Sequence, residues 1–325
     1  MTSRVLLVAR RLALGVAAAL AAALAANGAP AQTPESSCPP QAAVPTPQQV
    51  QAAGARARDR GVLWRVSKDG RTHHLFGTIH VGKFDWVFPG PRLRAALMDA
   101  EVAAFELDPL DPAVQSSLRG AGGSSAPLAP ALGQRLARQV ERACLPAQAV
   151  AGMHPLLQAI TVLLLEAARD GLQAAWGQEF ALAGMAHARN LRVVALETPE
   201  RQLAALIPPD PALVEQLLAS SIDQLDNGQA RRVLARLAAA WERSDLDELS
   251  HYERWCDCMN TAEERALMSA INDERNPAMA DRIAALHDEG RRAFVAVGAL
   301  HMTGLQGLPR LLEARGFRVE RVDFR

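Results

Sequence analysis

The sequence predicts an α/β fold, in which a mixed β-sheet core is flanked by helices and carries a large helical insertion. Short apolar runs rich in β-forming residues, such as 62–66 and 293–297, are typical of buried strands. These runs alternate with alanine- and leucine-rich segments that favour helices, an alternation typical of α/β proteins. From about 199 to 289 only helical patterns occur. This stretch is too long for one crossover, so it predicts the insertion.

The predicted elements begin with a hairpin, whose strands at 62–66 and 72–76 are joined by the turn residues Asp69 and Gly70. Residues 110–130 are rich in glycine and serine and predict a loop. The remaining predictions are strands at 102–108, 192–196, 293–297 and 317–322, and helices at 89–100, 131–144, 156–168, 178–189, 211–226, 230–242, 246–254, 262–276, 279–289 and 307–315, with one more starting near 199.

Charge and composition limit the class of function. The 325 residues include 35 basic and 35 acidic side chains, so the formal net charge is +0. Basic residues occur at most in adjacent pairs, which argues against a nucleic-acid partner. The hydrophobic content of 49% supports a packed globular core.

The N-terminus has the pattern of an export signal. Three arginines precede an apolar stretch at 12–26, and small residues follow at 29–31. We therefore expect a cleaved signal peptide at 1–31, a periplasmic or secreted protein, and no stable membrane span after cleavage. An uncleaved membrane anchor is the alternative, although the apolar stretch is short for a span.

The rest of the chain is expected to divide into a linker and one domain. Residues 32–60 are rich in proline and alanine, which predicts an extended linker. Residues 61–325 are expected to form the α/β domain, with the helical insertion at about 199–289.

Four cysteines, Cys38, Cys144, Cys256 and Cys258, are present. In an exported protein they can form disulfides. A bridge between Cys256 and Cys258 would be strained, so each is expected to pair with Cys38 or Cys144, or one pair forms and the rest stay free. A zinc site on Cys256 and Cys258 is the less favoured alternative, because ligand cysteines usually have about two to four residues between them and here Asp257 alone intervenes.

Two Gly-x-x-His motifs, Gly77 to His80 and Gly298 to His301, follow predicted strands. In each, the glycine lets the backbone turn and approach a ligand closely, and the histidine projects from the C-terminal end of the strand. Glu106 ends another apolar strand. Two imidazoles and a carboxylate at one sheet edge could bind a divalent metal ion or catalyse acid–base chemistry.

In order and register these segments resemble the TraB/GumN family, which includes the Tiki proteins. The resemblance implies a sheet core related to that of erythromycin esterase-like and haem-binding ChaN-like proteins. For Tiki members it also implies a metal-dependent peptidase that uses both histidine motifs and the acidic residue. The similar segments are 63–82, 105–108, 193–198, 274–280, 295–304 and 316–319, so the resemblance extends over about 61–322.

The leading hypothesis is a secreted metal-dependent hydrolase, most similar to a Tiki-like peptidase. His80, His301 and Glu106 are expected to hold a divalent metal ion, for which manganese, cobalt and zinc all fit. Glu106 is also assigned to catalysis, with Arg275 orienting the substrate and Glu197 in a supporting role. The expected substrate is a peptide or a small molecule with a carbonyl group.

Other interpretations of these residues stay open. Arg275 could instead form a buried ion pair with Glu106 or Glu197, and Glu197 could cap a helix. Asp108 is either a second ligand or a structural cap, and Asn276 could cap the helix that precedes Pro277. The alternative functions are a haem- or metal-binding envelope protein without catalysis, and an accessory factor in polysaccharide or pheromone handling. The remaining histidines are expected to be solvated or without partners: His73, His74, His154, His187, His251 and His287.

Overall fold

The computed structural model describes residues 38–120 and 127–324, so the predicted signal peptide lies outside the described residues. Its centre is a six-stranded sheet with the strand order β4-β3-β5-β2-β1-β6. The four strands from β4 to β2 are parallel, whereas β1 is antiparallel to both of its neighbours. The predicted mixed sheet flanked by helices is thus confirmed. The strands are β1 (Val62–Lys68), β2 (Arg71–Thr78), β3 (Val102–Phe105), β4 (Arg192–Ala195), β5 (Ala293–Gly298) and β6 (Arg318–Val322).

Helices surround the sheet, and many begin at or next to a proline, whose fixed backbone angle suits the first helical turn. Between β4 and β5 the chain forms helices alone. Within the described residues no helix is both long and apolar enough to cross a bilayer. The helices are α1 (Pro47–Ala55), α2 (Pro91–Asp99), α3 (Pro112–Gly120), α4 (Pro130–Arg142), α5 (Ala147–Val150), α6 (Pro155–Glu166), α7 (Gln178–Ala188), α8 (Pro199–Leu206), α9 (Pro211–Asp226), α10 (Gln229–Glu242), α11 (Leu246–Ser250), α12 (Tyr252–Trp255), α13 (Ala262–Ile271), α14 (Asn276–Asp288) and α15 (Leu308–Ala314).

The two Gly-x-x-His motifs lie side by side, because β2 and β5 are neighbours with Thr78 opposite Gly298. Gly77 makes room for the packing between them. A Cβ at this position would lie 2.7 Å from Val62 Cγ2 and 3.0 Å from the Ala299 backbone. Glycine at 77 therefore lets the two motifs pack directly against each other.

Two segments predicted to be irregular contain helices. The expected linker includes α1, because Thr46 and Gln49 form a reciprocal capping box at its start. The expected loop at 110–130 includes α3, where the Asp111 carboxylate accepts a hydrogen bond from Ala113 N–H at 2.8 Å. In both cases a local cap outweighs a composition that favours irregular structure.

The predicted disulfide pairing is wrong. Cys38 pairs with Cys144, and Cys256 pairs with Cys258. The close pair is possible because Asp257 between them adopts a left-handed conformation, with φ of 49°, and this brings the two Cα atoms to 5.0 Å. The zinc alternative for Cys256 and Cys258 is excluded while their sulfurs are joined.

Several histidines expected to be solvated or isolated have partners. His73 is 1% exposed, and its Nε2 lies 3.0 Å from Nδ1 of His287. The Ala293 N–H donates to His73 Nδ1 at 3.1 Å, so the proton of His73 lies on Nε2 and is donated to His287. The pair joins the β1–β2 hairpin to the end of α14. Alternation along a hairpin does not reveal a partner that is 214 positions away in the sequence.

Candidate functional site

Polar side chains meet at the C-terminal edge of the four parallel strands. His80 follows β2, Glu106 follows β3, Glu197 follows β4 and His301 follows β5. Because parallel strands end at the same sheet edge, the topology brings these four predicted site residues together. Arg275 reaches the same place from the turn before α14 and contacts both carboxylates.

His80 is the most exposed of these residues, with 64% of its side chain accessible. Its Nδ1 lies 3.0 Å from Oε1 of Glu179, and the same oxygen accepts a hydrogen bond from the Thr78 hydroxyl. The Glu179 carboxylate raises the pKa of His80 to about 9. Because Nδ1 is held in this way, Nε2 is the ring nitrogen left to act on a ligand.

Glu179 is a site residue that sequence reasoning misses. It lies in the first turn of α7, where an acidic residue is ordinarily explained by the helix dipole. The helix start is tied to the end of β2, since Gln178 N–H donates to the Ile79 carbonyl at 3.0 Å. Gly177 lies so close to His80 that a Cβ there would be 2.6 Å from the His80 carbonyl oxygen. This close approach is set by tertiary packing, so the sequence holds no signal for Glu179.

Glu106 is held at both carboxylate oxygens. Oε1 accepts a hydrogen bond from Gly298 N–H at 2.8 Å, and Oε2 accepts from Gln202 Nε2 at 3.1 Å and from Arg275 Nη2 at 2.5 Å. Burial opposes ionisation of Glu106, yet the neighbouring His301 and Arg275 hold its pKa at about 2. The side chain is therefore a fixed carboxylate. Gln202 is a second contact that the sequence patterns do not indicate.

The ring of His301 has a defined tautomer. Asn276 Nδ2 donates to the Gln306 carbonyl at 2.8 Å, so the Asn276 side-chain oxygen must face His301 Nδ1, 2.7 Å away. Nδ1 therefore carries the proton, and Nε2 carries a lone pair. Burial lowers the pKa of His301 to about 4, so the ring is neutral at pH 7. Asn276 is thus a positioning residue for His301.

Arg275 forms the buried ion pair that is one of the two alternatives for it, and its partners are both Glu106 and Glu197. Its Nε lies 3.1 and 3.0 Å from the two oxygens of Glu197, and Nη2 contacts Glu197 and Glu106. Nη1 donates to the Ile271 carbonyl at 2.8 Å and lies 3.4 Å from His301 Nε2. With these partners the guanidinium is held on the two carboxylates and acts as the buried counter-charge of the site, while the contact of Nη1 with His301 Nε2 is the longest that it makes.

Glu197 and Asp108 differ in how they relate to the cluster. The Glu197 carboxylate is fully buried against Arg275, and the hydroxyl of Thr198, not Glu197, caps α8. Asp108 faces away from the cluster: its Oδ2 lies 2.7 Å from His187 Nε2, and its Oδ1 accepts from Leu110 N–H at 3.0 Å. The capping interpretation of Asp108 therefore agrees with the structure.

Gly298 forms a small cradle at the centre of the cluster. A Cβ placed on it would lie 3.4 Å from Glu106 Oε1, 3.5 Å from His301 Cδ2 and 3.8 Å from His80 Nε2. The two imidazoles and the carboxylate therefore face the same small volume. Within the described ranges no group of three histidine, cysteine, aspartate or glutamate side chains is close enough to be recognised as a metal site.

A sequence model of the TraB/PrgY/gumN family matches residues 62–321. The chain belongs to this family. It is 25% identical over 262 residues to a protein of Escherichia coli K12 described as uncharacterized protein YbaP. The alignment covers 76% of this chain and 90% of the relative. A Shigella flexneri protein of the same description aligns with the same identity and coverage. No solved structure matches the chain significantly.

Membership in the TraB/PrgY/gumN family confirms the resemblance that the strand-end motifs predict. The matched residues include all of the sheet except Val322 at the end of β6, and all five predicted site residues. The names of the two relatives state no reaction. The hydrolase activity, the metal ion and the substrate therefore stay predictions for this member of the TraB/PrgY/gumN family.

Proposed function

We propose that the chain is a hydrolase that holds a divalent metal ion between Nε2 of His80, Nε2 of His301 and Glu106. The observation that carries this proposal is the state of the two rings. Each histidine has its Nδ1 engaged by an acceptor, Glu179 for His80 and Asn276 for His301, which leaves Nε2 as the nitrogen for a ligand. Nε2 of His80 and Cδ2 of His301 face the Gly298 cradle, and an ion at Nε2 of His301 would replace its 3.4 Å contact with Arg275 Nη1. Histidine ligands of metals are oriented in the same way by an acceptor on the other ring nitrogen.

The spacing of two of the donors supports the same assignment. His301 Nε2 lies 3.8 Å from Glu106 Oε1. Two ligand atoms at about 2.1 Å from one ion can be at most about 4.2 Å apart, so this pair fits a shared ion. Around the cluster the carboxylates of Glu106, Glu179 and Glu197 face Arg275, the half-exposed Arg201 that lies 3.6 Å from Glu197, and the protonated His80. A metal ion would therefore bind with release of the His80 proton.

When bound, a divalent ion would polarise a substrate carbonyl and lower the pKa of a coordinated water. The chain itself supplies the rest of the chemistry. Glu106 is kept ionised and fixed by Arg275 and the Gly298 N–H. His80 is the exposed member, so its ring borders the space open to the substrate, and Glu179 holds the proton of the ring on Nδ1 and leaves Nε2 for the ion. The substrate class that fits is a peptide or ester carbonyl.

The test is the metal content of the purified protein, together with hydrolysis of a panel of peptides and esters. We expect about one divalent ion per chain after exposure to manganese, cobalt or zinc, lost in His80→Ala and in His301→Ala. His251→Ala is the matched control, because His251 lies in a short helical segment and contacts Asp247. A wild-type protein that takes up none of the three ions would refute the metal-dependent hydrolase.

Export is the second part of the proposal. The positive, apolar and small-residue pattern of residues 1–31 supports it, and so do the two disulfides, which persist in oxidising compartments. We expect the mature protein in the periplasmic fraction, with its N-terminus near Gln32. Retention of residues 1–31 on the membrane-bound protein would instead indicate an uncleaved anchor.

A further inference from the structure

The disulfide between Cys256 and Cys258 takes no part in the site at the sheet edge, and its two sulfurs differ in accessibility. Cys256 is completely buried, whereas Cys258 is half-buried. In thiol–disulfide exchange the rate depends on which sulfur an incoming thiolate can reach. The arrangement therefore directs attack to Cys258 and makes Cys256 the leaving group.

The buried sulfur has a hydrogen-bond donor that suits a leaving thiolate. The backbone N–H of Cys258 points at Cys256 Sγ, with a nitrogen–sulfur distance of 3.2 Å. A donor of this kind stabilises negative charge on sulfur, and a thiol with a lower pKa leaves faster during exchange.

The small ring itself favours opening. A single residue, Asp257, separates the two cysteines, and its φ of 49° lies in the left-handed region that non-glycine residues rarely adopt. Closing the disulfide requires this backbone conformation. When the disulfide opens, Asp257 no longer has to keep this left-handed conformation, so reduction by a thiol relieves local backbone strain.

The surrounding protein keeps the two cysteines close after the bond opens. The Asp257 carbonyl accepts hydrogen bonds from Gln229 on α10 and from Asn260, the latter at 2.9 Å. The Tyr252 hydroxyl lies 3.4 Å from Cys258 Sγ. Because Gln229 and Asn260 both hold the Asp257 carbonyl, they limit how far this residue moves when the bond opens, and the reduced pair stays near enough to close again.

We propose that Cys256–Cys258 is a reversible exchange site for small-molecule or protein thiols. An incoming thiolate attacks Cys258 Sγ, the bond between the two cysteine sulfurs breaks, and its electron pair goes to Cys256 Sγ, which takes a proton from solvent. A second thiol, as its thiolate, attacks the mixed disulfide and releases Cys258, which is then protonated. Two incoming thiols are thereby oxidised to one disulfide, the cysteine pair gains two electrons and two protons, and the reverse sequence restores it.

Glutathione is the probe for the first experiment, used on the full-length folded protein. The protein is equilibrated in buffers of varied reduced-to-oxidised glutathione ratio, alkylated, and analysed peptide by peptide by mass spectrometry, while circular dichroism follows the fold. We expect Cys256 and Cys258 to open and close reversibly in the folded chain as the ratio changes. A pair that stays oxidised until the chain unfolds would overturn the proposal.

Two single variants test which sulfur is attacked. In Cys256→Ala the free Cys258 is expected to form a mixed disulfide with oxidised glutathione at least about tenfold faster than Cys256 does in Cys258→Ala, because only Cys258 is accessible. Equal rates, or a faster reaction at Cys256, would contradict the direction of attack. The wild-type glutathione titration does not depend on either variant. It therefore still tests whether the disulfide exchanges reversibly if a variant fails to fold.

Discussion

Asn276 Oδ1 lies 2.7 Å from His301 Nδ1 and fixes both the tautomer and the orientation of that ring. The amide is itself fixed by the Gln306 carbonyl, so the chain of hydrogen bonds leaves one assignment of protons. Asn276 is fully buried and begins α14, the helix whose other end carries His287. The residue that begins this helix therefore also sets the chemistry of the last Gly-x-x-His motif.

Removal of the Asn276 side chain is expected to free the His301 ring. In Asn276→Ala the imidazole Nδ1–H and the Gln306 carbonyl lose their partner, and the free energy of unfolding falls by about 2 kcal/mol. Nitrogen-15 NMR of labelled histidine should show His301 protonated at Nδ1 in the wild type and as a mixture of tautomers in the variant. A single, unchanged tautomer in Asn276→Ala would mean that another group orients the ring.

Loss of the Arg275 guanidinium is expected to be strongly destabilising. Arg275→Met leaves the buried carboxylates of Glu197 and Glu106 without their counter-charge, at a cost of about 4 kcal/mol. Urea unfolding measures the change. The double variant Arg275→Met with Glu197→Gln should be more stable than the single variant, because one uncompensated charge is gone. If the second substitution lowers stability further, the ion pair is not what Arg275 contributes.

Neutralisation of Glu179 is expected to lower the basicity of His80. The Glu179 carboxylate is the main reason that the pKa of His80 lies near 9, so in Glu179→Gln it should fall toward the ordinary value of about 6.5. NMR titration of the metal-free protein reports this pKa directly. Glu200→Gln is the control, because Glu200 is an exposed residue in the first turn of α8. A His80 that titrates at the same pH in Glu179→Gln would exclude the pair as the cause.

The sequence predicts the site residues that follow strands, because a local pattern identifies each of them. An apolar run followed by a glycine and a histidine locates His80 and His301, and a carboxylate after an apolar run locates Glu106 and Glu197. Since all four follow parallel strands of one sheet, the α/β topology alone is enough to bring them together.

No local sequence pattern identifies the contacts that residues from helices make with the site. Glu179 reaches His80 only because α7 begins against the end of β2, and its position in a first helical turn has an ordinary explanation. The Cys256–Cys258 bridge depends on the backbone conformation of Asp257, which spacing does not reveal. Such contacts depend on tertiary packing, and a pattern within one element does not contain that information.

The Gly298 cradle is expected to be closed by one methyl group. In Gly298→Ala the new Cβ would lie 3.4 to 3.8 Å from its neighbours, which is ordinary contact, and the φ of −50° suits alanine. The variant should therefore fold, while metal uptake and hydrolysis fall at least about tenfold because the ligand atoms face the added methyl. Elemental analysis and the hydrolysis assay measure the two effects.

The matched control for this prediction is Gly133→Ala in α4, where a Cβ would meet nothing within 4 Å. This substitution should leave metal uptake unchanged and raise the free energy of unfolding by about 0.5 to 1 kcal/mol, because alanine favours helices. Full metal uptake by Gly298→Ala would show that the ion, if bound, does not occupy the cradle.

Acid is expected to destabilise the protein through the buried His73–His287 pair. Burial lowers the pKa of His73 to about 4, whereas an unfolded histidine titrates near about 6.5. Between these two values the unfolded chain binds a proton that the folded chain does not, so stability falls as the pH falls. The contribution is complete above about pH 6.5, and about 3 kcal/mol of it is lost by about pH 4.

The test is urea unfolding of the wild type and of His73→Gln at a series of pH values from about 7.5 to about 4, the range in which histidines titrate. Glutamine removes the titrating group and keeps a donor for His287, so the variant should be less stable at the upper limit yet lose about 3 kcal/mol less toward the lower one. His251→Gln, which alters a partly exposed histidine between α11 and α12, is the control for replacing a histidine by glutamine. Because carboxylates lose their charge mainly below about pH 4.5, the slope above that value isolates the histidines. Parallel profiles for the wild type and His73→Gln would show that His73 titrates at the same pH in the folded and the unfolded chain, and would refute the prediction.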